Sequence, residues 1–199
     1  MNLPNKLTMI RIILVPFVLL FMLPWPDMSI FQNWNNFIGQ YGLIIAFFIF
    51  SAASLTDYYD GKIARDRNLI TNFGKFLDPI ADKMLVISVL IALVQINRLN
   101  ALAAIIVIIR EFMVTGVRLM ASDKGVVISA SNLGKAKTVS QIVAILLMLG
   151  EKTISAITAG FLPIGWISLL ADFAMLVAVI LTIISGYDYL KKNISYLKE

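Results

Sequence analysis

The 199-residue chain has no cysteine and no histidine. Without cysteine it can hold neither a disulfide nor a thiolate-bound metal. Without histidine, zinc on its usual soft ligands is disfavoured and imidazole general bases are excluded. Acid–base work must fall to carboxylates, lysine or tyrosine. Charge is also sparse: Asp, Glu, Lys and Arg make up 15% of the residues, 12 acidic against 17 basic. No internal repeat or low-complexity tract is visible, and no basic soluble segment exists to serve as a nucleic-acid domain.

What the chain does have is apolar surface. It is 59% hydrophobic, with a mean hydropathy of +0.86, well above a soluble domain. This composition predicts an all-α, polytopic integral membrane protein forming one domain over residues 1–199. The net charge of +5 suits anionic headgroups or anionic substrates. An apolar run of about 20 residues crosses a bilayer as a helix. Six runs qualify: Leu7 to Leu23, Phe37 to Thr56, Asp78 to Gln95, Ala101 to Met120, Leu133 to Leu149 and Ile164 to Leu190. The first is expected to be a retained span rather than a signal peptide. Arg11 interrupts it, and it ends at Pro24-Trp25-Pro26 without a small-residue cleavage site.

Loop charges orient these spans. With both termini in the cytoplasm, the inner segments collect Lys6, Arg11, Lys62, Arg65, Arg67, Lys75, Arg118, Lys124, Lys135, Lys137, Lys191, Lys192 and Lys198, and Lys83 lies at a span edge. The outer loops keep only Arg98 and Lys152. That asymmetry predicts both termini inside, and it puts Trp25 and Trp34 at the outer interface.

Four aspartates stand out against this background: Asp57, Asp60, Asp78 and Asp82. With Gly61, Ala64, Arg65 and Gly74 they spell D-x-x-D-G-x-x-A-R, eight residues, then G-x-x-x-D-x-x-x-D. Asp57, Asp60, Gly61, Ala64 and Arg65 fall on one face of a helix, and Asp78 and Asp82 share a face of the next. Four carboxylates this close repel unless something positive holds them. Hard divalent cations on carboxylate oxygens are the simplest solution, and Mg²⁺ or Mn²⁺ fits an all-oxygen site. The bland alternative is a set of solvated interfacial acids paired with Lys62, Arg65 and Lys75. Gly61 and Gly74 would let a phosphate approach the backbone. Pro79 requires a helix start or a kink nearby.

A second group is cationic. Arg110 lies mid-span, where a lone charge costs roughly 3 kcal/mol on insertion scales. Glu111 is adjacent in sequence and therefore a poor direct partner on a helix. Arg110 and Arg118 share a face, and Lys135 and Lys137 open the fifth span. Together these four could line a cytoplasmic pocket for a phosphate that metals do not bind. For each lysine alone, snorkelling to headgroups is the competing reading. Asn5, Thr8 and Arg11 recur every three residues at the start of the first helix, where capping and anchoring would also explain them. Asp172, inside the sixth span, is expected to pair helices or to serve a function; the sequence does not choose between them.

The aspartate pattern resembles the signature of the CDP-alcohol phosphotransferase family, matching it at Asp57, Asp60, Gly61, Ala64, Arg65, Gly74, Asp78 and Asp82. Three further stretches resemble the bacterial branch that makes phosphatidylglycerophosphate: Pro4 to Arg11, Arg110 to Arg118 and Gly134 to Thr138. The resemblance implies a six-helix membrane fold, a homodimer, a two-metal site facing the cytoplasm and residence in the cell membrane. It implies that Asp57, Asp60 and Asp78 ligate the metals, with Asp82 both ligand and general base. Asn5, Thr8, Gly61, Ala64, Arg65 and Gly74 would border CDP-diacylglycerol. Arg110, Arg118, Lys135 and Lys137 would hold sn-glycerol 3-phosphate. Two alternatives stay open at this point. A relative could use serine or an inositol phosphate as acceptor. A small cation carrier could also display such acids, although carriers place charges near mid-membrane and often carry matched repeats.

Overall fold

The computed structural model describes residues 3–66, 72–123, 126, 128, 131–158, 161 and 163–193. Within that set, the side chains of 3–7, 57–66, 72–80, 82 and 123 fall outside the description. Every regular element among the described residues is helical. The long helices are α1 (Leu3–Met22), α3 (Leu43–Asp66), α4 (Asn72–Gln95), α5 (Ala101–Asp123), α6 (Asn132–Ile157) and α7 (Ile164–Asn193). A short helix, α2 (Gln32–Phe37), leads through a π-helical turn, Ile38–Gly42, into α3. Among the described residues, three continuous helical stretches are long and apolar enough to cross a membrane: Ser29–Thr56, Asn132–Ile157 and Ile164–Asn193. The shorter apolar helices Thr8–Met22 and Lys83–Gln95 accompany them.

Two starts and stops differ from those expected. α4 begins at Asn72, so Pro79 sits inside it rather than at its start. α6 runs on past Leu149 to Ile157, carrying Glu151 and Lys152 within the helix.

Buried residues recur at helical spacing. In α1 the inward stripe is Thr8, Arg11, Val15, Val18 and Met22; it begins polar and ends apolar. In α7 it is Ala171, Met175, Ala178, Thr182, Ser185 and Tyr189, with the reverse polarity. The two gradients reflect opposite chain directions across one bundle. α6 packs on α7, α5 on α7, and α3 on α6, while α1 packs on both α3 and α4. The shared core is aliphatic, built around Phe50, Val89, Leu90, Leu93, Ile145 and Leu149. The opposite face of α7 is apolar and exposed at Leu169, Phe173, Leu176, Ile180 and Ile183, as a lipid-facing helix requires.

One crossing depends on a missing side chain. A Cβ at Gly42 would overlap the carbonyl oxygen of Phe21. There α1 and the π-turn meet backbone to backbone, and only glycine permits it. Around it lies a run of aromatic contacts, Phe21–Trp34 at 5.7 Å, Trp34–Phe37 at 5.6 Å and Phe37–Tyr41 at 5.5 Å between ring centroids.

Candidate functional site

A cavity of about 350 Å³ opens between α4, α5 and α6, with α1, α3 and α7 each adding a residue to its wall. Its wall includes Arg11 of α1, Lys83 of α4, Arg110 and Arg118 of α5, and Lys137 of α6. Among the described lining residues, Glu111 is the one acid. Glu111 is the hub of the wall: its Oε1 accepts from Arg110 Nη1 at 3.3 Å and from Lys137 Nζ. The sequence expectation that Glu111 would be a poor direct partner for Arg110 is therefore corrected. The long guanidinium stem folds back on its own helix and reaches the neighbouring carboxylate. Lys137 is 2% exposed and does not snorkel. A buried lysine is tolerated because its carboxylate partner is close, and removing that partner would leave an uncompensated charge.

Two glycines shape the slot that holds Arg110. A Cβ at Gly186 of α7 would stand 3.1 Å from Arg110 Cγ, and one at Gly134 of α6 would stand 3.7 Å from Arg110 Nη2. The start of α6 is capped by Ser131, whose Oγ accepts from the Gly134 N–H at 3.1 Å. Ser131 and Gly134 both line the cavity. The positive end of the α6 dipole thus adds to the cationic wall, an arrangement that favours anions.

The cavity adjoins the aspartate helices. Ser54, one turn before Asp57 on α3, lines it, as does Lys83, next to Asp82 on α4. Lys83 donates to Thr115 Oγ1, which in turn donates to the Glu111 backbone carbonyl at 2.7 Å. This chain ties α4 to the cationic wall of α5.

Thr8 is buried on α1, one turn before Arg11. Arg110, Arg118 and Lys137 share the cavity, with Arg118 at its exposed rim. Lys135 is exposed on the first turn of α6 and is not among the residues lining the cavity. Asn5, Asp57, Asp60, Gly61, Ala64, Arg65, Gly74, Asp78 and Asp82 have side chains outside the described residues. Their backbone is helical: Asn5 lies on α1, and α3 runs through residues 57–66 and α4 through residues 72–82. That fits the carboxylate spacings of three and four, which put each helix's aspartates on one face. Four aspartates would offer an all-oxygen donor set, the kind that suits Mg²⁺ or Mn²⁺. Among the residues with described side chains, no three acids come together as a metal cluster.

The opposite ends of these helices hold a different charge cluster. Asn97 adopts a left-handed conformation (φ 57°) that closes α4, with Arg98 N–H bonded to the Leu93 carbonyl at 2.8 Å. Asparagine tolerates this turn better than most residues. The turn sends Arg98 across to α6 and α7, where it donates to Glu151, to Asp172 Oδ1 at 2.6 Å and to Ser168 Oγ at 3.1 Å. Partial burial works against the Arg98 charge, but the bonds and charges of Glu151 and Asp172 outweigh it and raise its pKa. Asp172 is accordingly a helix-pairing residue.

Sequence reasoning missed three participants: Glu111 as hub, Ser131 as cap, and the polar stripe Thr182, Ser185, Tyr189 on α7. The available signal for the stripe was polar residues three and four apart inside an apolar run. Gln141 of α6 meets it, donating to Thr182 Oγ1 at 3.3 Å.

Comparison with known proteins adds a second line of evidence. The family model described as CDP-alcohol phosphatidyltransferase matches residues 1–187. A protein of Bacillus subtilis (strain 168), named CDP-diacylglycerol–glycerol-3-phosphate 3-phosphatidyltransferase, is 44% identical over 198 residues, covering 99% of this chain and 97% of that one. A protein of the same name from Rickettsia typhi is 35% identical over 196 residues, 98% of each chain. A protein of Mycobacterium tuberculosis (strain H37Rv), named probable phosphatidylglycerophosphate synthase, is 36% identical over 192 residues, 96% of this chain and 81% of that one.

Proposed function

Because the chain belongs to the CDP-alcohol phosphatidyltransferase family, we propose that it transfers the phosphatidyl group of CDP-diacylglycerol to sn-glycerol 3-phosphate. The products are phosphatidylglycerophosphate and CMP. The observation that carries this reading is the cationic cavity beside Asp82. Arg110, Arg118, Lys137 and Lys83 line a chamber that starts one residue from the last motif aspartate. A phosphate-bearing acceptor uses such a wall; serine, which has no phosphate, would leave it idle.

Asp57, Asp60, Asp78 and Asp82 would hold two divalent cations, Mg²⁺ or Mn²⁺, which when bound supply charge neutralisation at the donor's pyrophosphate. Thr8, with Asn5, Gly61, Ala64, Arg65 and Gly74, borders the nucleotide. Arg110, Arg118 and Lys137 hold the acceptor's phosphate and so fix its primary hydroxyl, which lowers the entropic part of the barrier. Lys135, exposed at the head of α6, serves as an outer guide for the incoming anion. Asp82 takes the proton from that hydroxyl. The resulting alkoxide attacks the β-phosphorus, which bears diacylglycerol; the bond to the α-phosphate oxygen breaks, and CMP leaves. The four acids titrate as a coupled set.

The same reading assigns six spans, both termini and the site to the cytoplasmic side of the cell membrane, and a homodimer. Helix lengths of 20 to 30 residues support six crossings. The deciding assay supplies purified protein with Mg²⁺, CDP-diacylglycerol and one acceptor at a time. CMP release is expected with glycerol 3-phosphate and not with serine or unphosphorylated glycerol. Equal release with serine would overturn the acceptor assignment, and no release with any acceptor would overturn the reaction.

A further inference from the structure

The polar stripe on α7 contains one hydroxyl whose bonding capacity is unspent. Thr182 Oγ1 donates to the Ala178 carbonyl at 2.6 Å, and Ser185 Oγ to the Thr182 carbonyl at 3.1 Å. Tyr189, one turn further, is 4% exposed, and its hydroxyl oxygen is buried without a hydrogen-bond partner. Its ring is fixed in a small apolar cluster with Val114 and Val117 of α5. Tyr189 also lines the cationic cavity. Buried polar groups are nearly always bonded, so an orphan of this kind points to a ligand.

A second orphan lines the same cavity. Arg110 Nε is buried and unbonded, although its Nη1 meets Glu111. A guanidinium nitrogen can only donate, and a phenol can donate. The surrounding Lys83, Arg118 and Lys137 are donors as well. Glu111, the one acid among the described lining residues, is already taken by Arg110 and Lys137. A molecule that satisfies this wall must therefore be rich in acceptor oxygens and negatively charged. A phosphate monoester meets both conditions.

We propose that Tyr189 is an acceptor-binding residue, its hydroxyl donating from α7 to a phosphate oxygen of the acceptor in the cavity between α4, α5 and α6. The inference rests on the acceptor reading above. The phenol adds something that the cations cannot. Arginine and lysine attract any anion from many angles, whereas a hydroxyl on a wedged ring points in one direction. Tyr189 thereby fixes how the phosphate sits, not merely whether it arrives.

The test compares wild type, Tyr189→Phe and Arg118→Ala in purified full-length protein at saturating Mg²⁺. Tyr189→Phe keeps the ring and its packing, so the fold is expected to persist. It should raise the KM for glycerol 3-phosphate roughly tenfold, the scale of one hydrogen bond to a charged group. The KM for CDP-diacylglycerol and the melting temperature should stay at wild-type values. Inorganic phosphate should compete less well against glycerol 3-phosphate in the variant. The Tyr189→Phe effect should persist at high salt, whereas the Arg118→Ala effect should shrink. An increase in acceptor KM for Arg118→Ala but not for Tyr189→Phe would overturn the role of Tyr189 alone. No change in either variant would overturn the pocket itself. An equal rise for donor and acceptor, or a lower melting temperature with unchanged KM, would make Tyr189 a packing residue.

Discussion

Arg98 and Arg110 are both arginines in largely apolar helical surroundings, and their neighbours treat them differently. Arg98 is closed: two carboxylates and a serine take its donors. Arg110 is open: it shares one carboxylate with Lys137 and keeps its Nε unbonded. The two sites lie toward opposite ends of α6, with Glu151 at one and Lys137 at the other. Fourteen residues of helix separate them, roughly 21 Å. A charge whose partners are all built into the protein holds helices together. A charge whose partners are only half supplied is waiting for something else. The difference lies in how many of the donors are satisfied, not in the residue type.

The comparison breaks most completely at the acids beside the open end. Replacing Asp57, Asp60 or Asp78 with Asn should reduce CMP release to background, and chelation should silence the wild type until Mg²⁺ or Mn²⁺ is returned. Asp82→Asn should lower turnover about 10²- to 10⁴-fold, the usual contribution of a general base, while donor binding survives. Full activity after exhaustive chelation would remove metal from the mechanism.

A smaller effect sharpens the open end itself. Arg118→Ala should reduce the use of glycerol 3-phosphate about 10- to 150-fold, as expected for one charge-assisted hydrogen bond. Lys135→Ala should lose less, because Lys135 stands outside the cavity wall. Steady-state kinetics with donor saturating would separate the two, and a larger loss for Lys135 would redraw the pocket.

The smallest effects belong to the closed end. Arg98→Gln should reduce stability by about 1–2 kcal/mol, since Glu151 loses its main partner in a half-buried place. Asp172→Asn should cost below about 1 kcal/mol, because this carboxylate is more than half exposed. Both are read by thermal unfolding in detergent, with acceptor KM as the control. A change in acceptor KM for Arg98→Gln would show that the two ends are not independent.

The positions of the long helices were legible from apolar runs, because burial and lipid exposure both select the same residues. Their ends were less so. α6 continues through Glu151 because Arg98, 53 residues earlier, neutralises it; no local pattern announces such a partner. Lys137 was singled out by its charge at the head of a span, and it does line the cavity, but its burial depends on Glu111 from another helix. Tyr189 was hidden by its neighbours, since the run from Ile164 to Leu190 reads as one membrane helix. Its role is set by the cavity it faces. The aspartate motif shows the opposite case. Its spacing alone places the acids on shared helix faces, and the helical backbone of α3 and α4 agrees with that.

The backbone contact between Gly42 and Phe21 has a mechanical consequence. A crossing made of side chains can slide as rotamers change, but one made of main chain has no rotamers to spend. It fixes the depth and angle at which α1 crosses. From Phe21 to Thr8 the helix extends 13 residues, roughly 20 Å. A difference of about 5° in that angle would misplace Thr8 by roughly 2 Å. The buried positions of Thr8 and Arg11 therefore depend on the absence of a side chain at the far end of their helix.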